Sequence, residues 1–104
     1  MESRQYKIRY LSTFESDLLD AVRYIDEVLQ NPDAADRLID AVEGDVVERS
    51  NCPLSFEPYP SKRERKHPYY RIYVNNYTVY YVVIDGVMEV RRFLYGGRNA
   101  DGLL

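Results

Sequence analysis

Two very short links in the C-terminal half restrict this chain more than any other feature. Asn75-Asn76 and Asp85-Gly86 separate three runs of strand-forming residues, about 69–74, 77–84 and 87–95. Asparagine, aspartate and glycine tolerate the positive φ angles that a two-residue hairpin turn requires, and Asp-Gly is one of the strongest hairpin signals. This half of the chain is therefore predicted to form a three-stranded antiparallel meander.

Two-residue turns also determine which residues pair across the strands, and side chains then alternate between the two faces of the sheet. Across the first link, Arg71 is expected to face Tyr80; across the second, Tyr80 is expected to face Arg91 and Thr78 to face Phe93. One face is nearly all apolar and is expected to pack on helices: Tyr70, Ile72, Val74, Tyr77, Val79, Tyr81, Val83, Met88, Val90 and Leu94. The opposite face is expected to hold Arg71, Tyr73, Thr78, Tyr80, Val82, Glu89, Arg91, Phe93 and Tyr95.

The second face has two interpretations. Arg71, Tyr80 and Arg91 would form one row across three strands, and guanidinium groups beside aromatic rings suit a ligand that carries phosphates and bases. The simpler interpretation is a solvated face, because a sheet covered on one side usually shows polar residues on the other. Cross-strand Tyr–Arg pairs also stabilise sheets without any ligand. The pattern alone leaves both interpretations open.

The N-terminal half predicts a short strand at 5–11 and two helices, at about 13–30 and 32–49, from alternating and then helical spacing of apolar residues. Asn31-Pro32 separates the helices and suits the N-cap and first position of the second one. So short a link predicts an antiparallel helical hairpin. Four of the five prolines fall in residues 51–68, which predicts an irregular crossover, with room for one short edge strand.

Composition excludes several classes of protein. The chain has 104 residues, which predicts a single domain over 1–104. Its net charge of −3 gives no nucleic-acid footprint at the level of the whole chain, but the uneven spread of charge leaves room for a local basic site. One cysteine forms no internal disulfide, and no Cys/His cluster suits zinc. No apolar run approaches the length of a membrane span, and no familiar catalytic motif is present. We therefore expect a cytoplasmic protein with no membrane association, no metal and no cofactor.

The order of elements resembles that of the RelE/ParE superfamily, the toxins of type II toxin–antitoxin modules, which include plasmid stabilisation proteins. "NPDAADRL", residues 31–38, is similar to the family's Asn-Pro-x-x-Ala-x-x-Leu opening of the second helix. Residues 77–104, beginning "YTVYYVVIDG", are similar to its final hairpin and ending. The resemblance implies an α+β fold in which the meander packs on the helical hairpin.

The resemblance implies one of two activities. RelE-like members cut mRNA on the ribosome with basic residues and a late tyrosine or histidine, whereas ParE-like members inhibit DNA gyrase. Arg71 and Arg98 fall where the nucleases keep basic residues. Thr78 and Tyr73, however, replace basic residues of the nucleases, and Tyr95 replaces a histidine frequent in the ParE-like ending. The usual C-terminal acid has no counterpart in residues 96–104.

We therefore expect a growth-inhibiting toxin that binds a macromolecular target and is neutralised by a cognate antitoxin, with ParE-like inhibition of gyrase favoured. The alternatives are a metal-independent, RelE-like mRNA endoribonuclease acting on the ribosome, or an inactive toxin-derived binding module. The candidate catalytic residues are Arg71, Tyr80, Arg91 and Arg98. The candidate nucleic-acid or target-binding residues are Lys62, Arg63, Arg65, Lys66, His67, Tyr73, Phe93 and Tyr95. The antitoxin is expected along the basic margin and the apolar edges of the helices.

Overall fold

The computed structural model of the chain describes residues 5–96 and 100–104. A four-stranded sheet lies against a helical hairpin, with the strands in the order β1-β4-β3-β2. The elements in chain order are β1 (Lys7–Tyr10), α1 (Ser12–Arg23), a π-helical turn (Tyr24–Val28), α2 (Pro32–Arg49), β2 (Tyr70–Val74), β3 (Tyr77–Ile84), β4 (Val87–Tyr95) and a 3-10 turn (Asp101–Leu103).

The predicted α+β architecture is confirmed, with one detail added. β2, β3 and β4 form the antiparallel meander, while β1 pairs in parallel with β4 and makes the sheet mixed. The crossover forms no strand in residues 51–69, so its possible edge strand does not exist. No helix in the described part of the chain combines the length and apolar character needed to span a membrane.

The helical hairpin matches the prediction at α2 and departs from it in the first helix. Asn31 caps α2 by accepting a hydrogen bond from the Ala34 backbone N–H at 3.1 Å. The first helix changes to π geometry after Arg23, because the Leu29 N–H donates to the Tyr24 carbonyl five residues earlier. The predicted single helix over 13–30 is therefore an α-helix followed by one wide turn.

Both predicted hairpins form with the expected pairing next to their turns. Arg71 pairs with Tyr80 in β2–β3, and Val82 pairs with Glu89 in β3–β4. Asn75, Asp85 and Gly86 all have φ between 51° and 78°, the left-handed region that these residues tolerate. Local turn chemistry therefore set the beginning of each ladder.

The predicted pairing is wrong beyond Val90, because β4 contains a β-bulge. Tyr80 pairs with Arg92 rather than Arg91, Val79 with Phe93, and Thr78 with Leu94 rather than Phe93. A bulge inserts one extra residue into one strand and shifts the following side chains to the other face. Phe93, expected on the second face, therefore lies in the main core, and Leu94 takes its place on the second face.

Helix α1 supplies the hydrogen bonds that the bulge requires. The Thr13 hydroxyl donates to the Arg91 carbonyl at 2.9 Å, and the Phe93 N–H donates to Asp17 Oδ2 at 3.0 Å. Asp17 also accepts two hydrogen bonds from the Arg92 guanidinium, at 2.7 and 3.1 Å. Buried polar groups need hydrogen-bond partners. Thr13 and Asp17, on one face of α1, provide these partners for the backbone of β4, which can therefore form a bulge next to the helix.

The main core lies between the helices and the apolar face of the sheet. Phe93 contacts Phe14 of α1 edge-on, with ring centroids 6.0 Å apart, and stacks on Tyr77 at 4.7 Å. Around them lie buried side chains of both helices and three strands: Ala21, Leu38, Val42, Val46, Tyr70, Ile72, Val74, Val79, Tyr81, Met88 and Val90. The predicted apolar face is thus confirmed except for Leu94.

Most of the second face of the sheet is covered by a second apolar cluster, and Tyr73 at its margin stays exposed. Tyr59 packs edge-on against Tyr80 with ring centroids 5.7 Å apart. Residues from the crossover, the sheet and the C-terminal turn share this cluster: Tyr59, Tyr69, Tyr80, Val82, Ile84, Leu94, Ala100 and Leu104. The Asp101 carboxylate ties the two covering segments together by accepting hydrogen bonds from the Ser61 hydroxyl and the Lys62 N–H.

Candidate functional site

A groove of about 740 Å³ opens where the helical hairpin meets one end of the sheet. The end of α1, the π-helical turn and the start of α2 form one wall, and the β2–β3 turn with the end of β4 forms the other. Its apolar lining includes Tyr24, Leu29, Leu38, Tyr77 and Tyr95. We call this the helix–sheet groove.

The π-helical turn shapes the helical wall of the helix–sheet groove. Tyr24 is 53% exposed and Leu29 is 56% exposed, which are high values for large apolar side chains beside a core. Gln30 has a φ of 52° and ends the first helix directly after these residues. π-helical turns are rare and often occur at functional sites. Exposed apolar side chains of this kind are typical of surfaces that contact another molecule.

A smaller cleft of about 330 Å³ continues from the groove around the β2–β3 turn. Tyr73, which is 67% exposed, and Tyr95 stand at its sides. Tyr77 lies between the two cavities and contacts the Tyr95 ring edge-on at 5.3 Å. Burial raises the pKa of Tyr77, with Tyr95 and Tyr24 as further causes, so its hydroxyl stays neutral at physiological pH. The surface shared by the two cavities around Tyr77 and Tyr95 is aromatic.

Among the described residues, the helix–sheet groove is lined by two carboxylates, Asp17 and Asp20. Asp17 is neutralised by Arg92 at 2.7 Å. No described lysine or arginine lines the groove. Its chemistry is that of an apolar protein-binding groove, because a site for phosphates would present cations.

The predicted row of Arg71, Tyr80 and Arg91 is largely occupied by protein. Tyr80 is 5% exposed beneath Tyr59, and Arg91 donates to Glu89 at 2.8 Å and to the Tyr69 hydroxyl at 3.2 Å. The Arg71 guanidinium lies within cation–π distance of the Tyr59 and Tyr73 rings, at 5.2 and 5.7 Å. Of the three, Arg71 has no ion-pair partner within residues 5–96 and 100–104, and it is only half-buried.

The electrostatics of the row do not favour proton transfer near neutral pH. Burial, followed by the neighbouring Tyr59, raises the pKa of Tyr80 despite the opposing effect of Arg71. Burial acts to lower the pKa of Arg91, but the hydrogen bonds with Tyr69 and Glu89 outweigh it and raise that pKa. A general acid or base works best with a pKa near the working pH, so Tyr80 is not matched to that task, while Arg91, which was expected to bind phosphate, stays cationic.

The remaining predicted residues are scattered. In the basic run, Lys62, Arg63 and Lys66 are exposed, Arg65 pairs with Asp101 at 3.5 Å, and His67 is half-buried. Phe93 is 3% exposed in the main core, so it does not stand beside Tyr73 on the second face. Arg98 lies outside the described residues.

Sequence reasoning did not single out the groove residues Tyr24 and Leu29. The signal was present, because Val28 and Leu29 continue the apolar stripe of the first helix up to Asn31-Pro32. A helix end that carries consecutive apolar residues with no cap is unusual unless something covers them. The predicted antitoxin contact along the apolar edges of the helices was not assigned to these two residues.

The comparison with known families agrees with the order of helices and strands in this fold. The family described as "ParE toxin of type II toxin-antitoxin system, parDE" matches residues 8–100, which include the hairpin, the crossover and the meander. The chain belongs to the ParE toxin family. The general role of this family is that of the toxin in a toxin–antitoxin pair, so the predicted relationship to the RelE/ParE superfamily is confirmed.

A solved structure shares the ParE fold of this chain. It is described as "Chromosomal ParDE TA system from P. aeruginosa" and superposes with a TM-score of 0.70. The match covers 89% of this chain and 98% of that chain, at 14% sequence identity. No curated protein matches the sequence.

Proposed function

We propose that this ParE-family protein inhibits bacterial growth by binding a macromolecular target in the cytoplasm, with DNA gyrase as the first candidate. We further propose that a cognate antitoxin neutralises it by covering the helix–sheet groove. The observation that carries the proposal is that groove, which is apolar and uncovered along Tyr24 and Leu29. Large exposed apolar side chains around a concave surface are typical of protein-binding sites.

Binding is favoured over RNA cleavage by the state of the candidate catalytic groups. Tyr80 is buried with a raised pKa, and Arg91 is engaged by Glu89 and Tyr69. Cleavage of RNA needs charge stabilisation at the reacting phosphate and a matched acid and base. Arg71 is the one catalytic candidate among the described residues whose guanidinium makes no ion pair, so the endoribonuclease would depend on it more than on Tyr80 or Arg91.

The activity is tested by inducing the chain alone in a bacterium and following growth, plasmid supercoiling and the 5′ ends of mRNA. Gyrase inhibition predicts growth arrest with loss of negative supercoiling and intact messages. Arrest with new mRNA ends, abolished by Arg71→Ala, would establish the endoribonuclease instead. Normal growth, with expression of the protein confirmed, would exclude both toxin activities and support the inactive toxin-derived binding module.

The groove is tested separately with Leu29→Ser and Tyr24→Ser. Each removes one exposed apolar side chain from the groove wall, and each is expected to weaken binding of the co-encoded antitoxin about tenfold, as loss of an interface anchor does. Val47→Ser is the matched control, because Val47 is a similarly exposed side chain on α2 that does not line the groove. Unchanged antitoxin binding in both groove variants would place the antitoxin elsewhere.

A further inference from the structure

A second apolar groove lies on the outer side of α1 and shares no lining residue with the helix–sheet groove. It has a volume of about 520 Å³, and its apolar part is formed by Leu18, Leu19, Val22 and Ile39. Leu19 is 48% exposed, while the other three are half-buried. We call it the outer groove. It runs along α1 and meets α2 at Ile39, so its long axis follows a helix rather than a strand.

One carboxylate lines the outer groove, and two more lie one helical turn from its α2 residue. Glu15 lines it, one helical turn before Leu19, and Asp36 and Glu43 lie one turn before and after Ile39 on α2. Arg23, one turn after Leu19, is the nearest opposing charge by the same spacing. Residues 12–49 hold eleven carboxylates against three arginines. Of the eleven, only Asp17 forms an ion pair with another described residue.

The negative charge of the helical hairpin favours one kind of binding partner for the outer groove over two others. A second copy of the chain would bring two strongly anionic hairpins together, and like charges across an interface cost several kcal/mol. An anionic lipid surface would be repelled for the same reason, because interfacial helices bind it through lysine and arginine. A partner with complementary charge would gain both attraction and apolar burial.

We propose that the outer groove binds a cationic amphipathic helix of another protein, with aliphatic anchors over Leu19 and Ile39 and lysine or arginine side chains facing Glu15, Asp36 and Glu43. An amphipathic helix places its anchors at i, i+3 or i+4 and i+7, which suits a groove parallel to α1. This surface is independent of the toxin activity proposed above, since none of its residues lines the helix–sheet groove.

The probe is a synthetic helical peptide with leucine at those anchor positions and lysine elsewhere, titrated into the isotopically labelled protein. Amide shifts are expected over residues 12–22 and 36–43, with saturation. The affinity is expected to fall about tenfold in Leu19→Ser, and at least as much when NaCl is raised from about 0.05 M to about 0.5 M, because surface charge pairs are screened. The same peptide with glutamate in place of lysine is expected to give no saturable shifts.

The control is Val47→Ser, which should bind like the unmodified protein because Val47 does not line the outer groove. Circular dichroism confirms that each variant is folded. Three results would overturn the proposal: shifts centred on Tyr24 and Leu29, equal binding of the lysine and glutamate peptides, or a dimer in sedimentation that Leu19→Ser dissociates. The last result would assign the groove to a second copy of the chain.

Discussion

Asp17 shows how much one side chain contributes to this fold. It sits on α1, 75 residues before the arginine that it binds, and accepts two hydrogen bonds from Arg92 and one from the Phe93 N–H. The hydrogen bond that Arg92 donates to Asp17 raises the pKa of Arg92 more than burial lowers it, so the guanidinium stays charged. A single carboxylate thus holds the sheet to the helix at the point where the ladder is irregular.

Asp17→Ala is expected to lower the free energy of unfolding by about 2–3 kcal/mol, because it leaves the Phe93 N–H and the Arg92 guanidinium without their partner. Urea titration followed by circular dichroism measures the change. The matched control is Asp20→Ala on the same helix, where the carboxylate is exposed and makes no ion pair within the described residues, and where a change below about 0.5 kcal/mol is expected. Equal effects of the two variants would contradict this account.

Asp101 is the second residue whose role depends on contacts far along the chain. It accepts hydrogen bonds from the Ser61 hydroxyl at 2.6 Å and the Lys62 N–H at 2.8 Å, and these lower the pKa of its carboxyl. Ala100 beside it is buried in the second apolar cluster. The carboxylate therefore helps to hold the C-terminal turn and the crossover over the sheet.

Because the pKa of Asp101 is lower in the folded state, its stabilising effect is present above the ordinary carboxyl pKa of about 4. That effect is lost as the pH falls through the folded pKa. The difference in unfolding free energy between the unmodified protein and Asp101→Asn is therefore expected to shrink from about pH 6 to about pH 2. Urea midpoints measure it, with Asp85→Asn in the β3–β4 turn as a control that should show no such trend. A constant difference would contradict the assignment.

At the scale of elements, the bulge in β4 decides where its aromatic residue goes. A regular ladder would place Phe93 on the second face and Leu94 in the main core. The extra residue reverses this, and Phe93 instead contacts Phe14 and Tyr77. Both arginines of the pair then lie outside the main core. Arg91 binds Glu89. Beyond Val90, β4 has no β1 neighbour, so the Arg92 side chain can pass over this free edge of the sheet to Asp17 on α1.

Deleting one arginine of the Arg91-Arg92 pair is expected to remove the bulge and leave Phe93 in the main core. The shortened strand alternates regularly from Val90 to Phe93, so the pairing of Val79 with Phe93 is kept. Stability is expected to fall by about 1–3 kcal/mol, because hydrogen bonds made by the bulged residues are lost. Proton contacts between the Phe14 and Phe93 rings test the placement by NMR.

The control for this deletion is Arg91→Ala, which keeps the chain length and should keep the bulge while losing the contacts of Arg91 with Glu89 and Tyr69. Contacts of Leu94 with the Phe14 ring in the deletion variant would contradict this account, because they would show that the shortened strand does not form the regular ladder that pairs Val79 with Phe93.

At the scale of the whole molecule, charge is separated between the layers. The helical hairpin is strongly anionic, and most of the lysines and arginines lie outside residues 12–49. Within the hairpin, Asp36, Asp40 and Glu43 follow each other at spacings of three and four along α2. Like charges at these spacings destabilise a helix by a few tenths of a kcal/mol each. The anionic surface therefore lowers the stability of the free protein.

Asp40→Lys is expected to raise the free energy of unfolding by about 0.5 kcal/mol at low salt, because the repulsive pairs with Asp36 and Glu43 become attractive while only the pair with Arg37 changes in the opposite sense. The gain should disappear in about 1 M NaCl, where surface charges are screened within about 3 Å. Glu57→Lys makes the same charge change in the exposed crossover and is expected to have little effect. A gain that persists at high salt would point to helix propensity instead.

Local signals predicted most of the elements and little of the candidate site. The start of α2 follows from Asn31-Pro32, and the two hairpins follow from their turns, because each signal acts within a few residues. The π-helical turn was not predictable from spacing, since apolar residues at 24, 25, 28 and 29 fit an α-helix equally well. The exposed groove wall that this turn presents was therefore missed.

The sequence by itself determined the order of the elements and the pairing beside each tight turn, because alternation, helical spacing and turn residues act over short stretches of backbone. The tertiary structure alone decided the side of the sheet on which Phe93 lies and the covering of the second face. The bulge depends on Thr13 and Asp17, which are 78 and 76 residues from their backbone partners. The covering depends on Ser61 meeting Asp101 across 40 residues. Contacts between distant segments form only when the layers pack, and no local pattern encodes them.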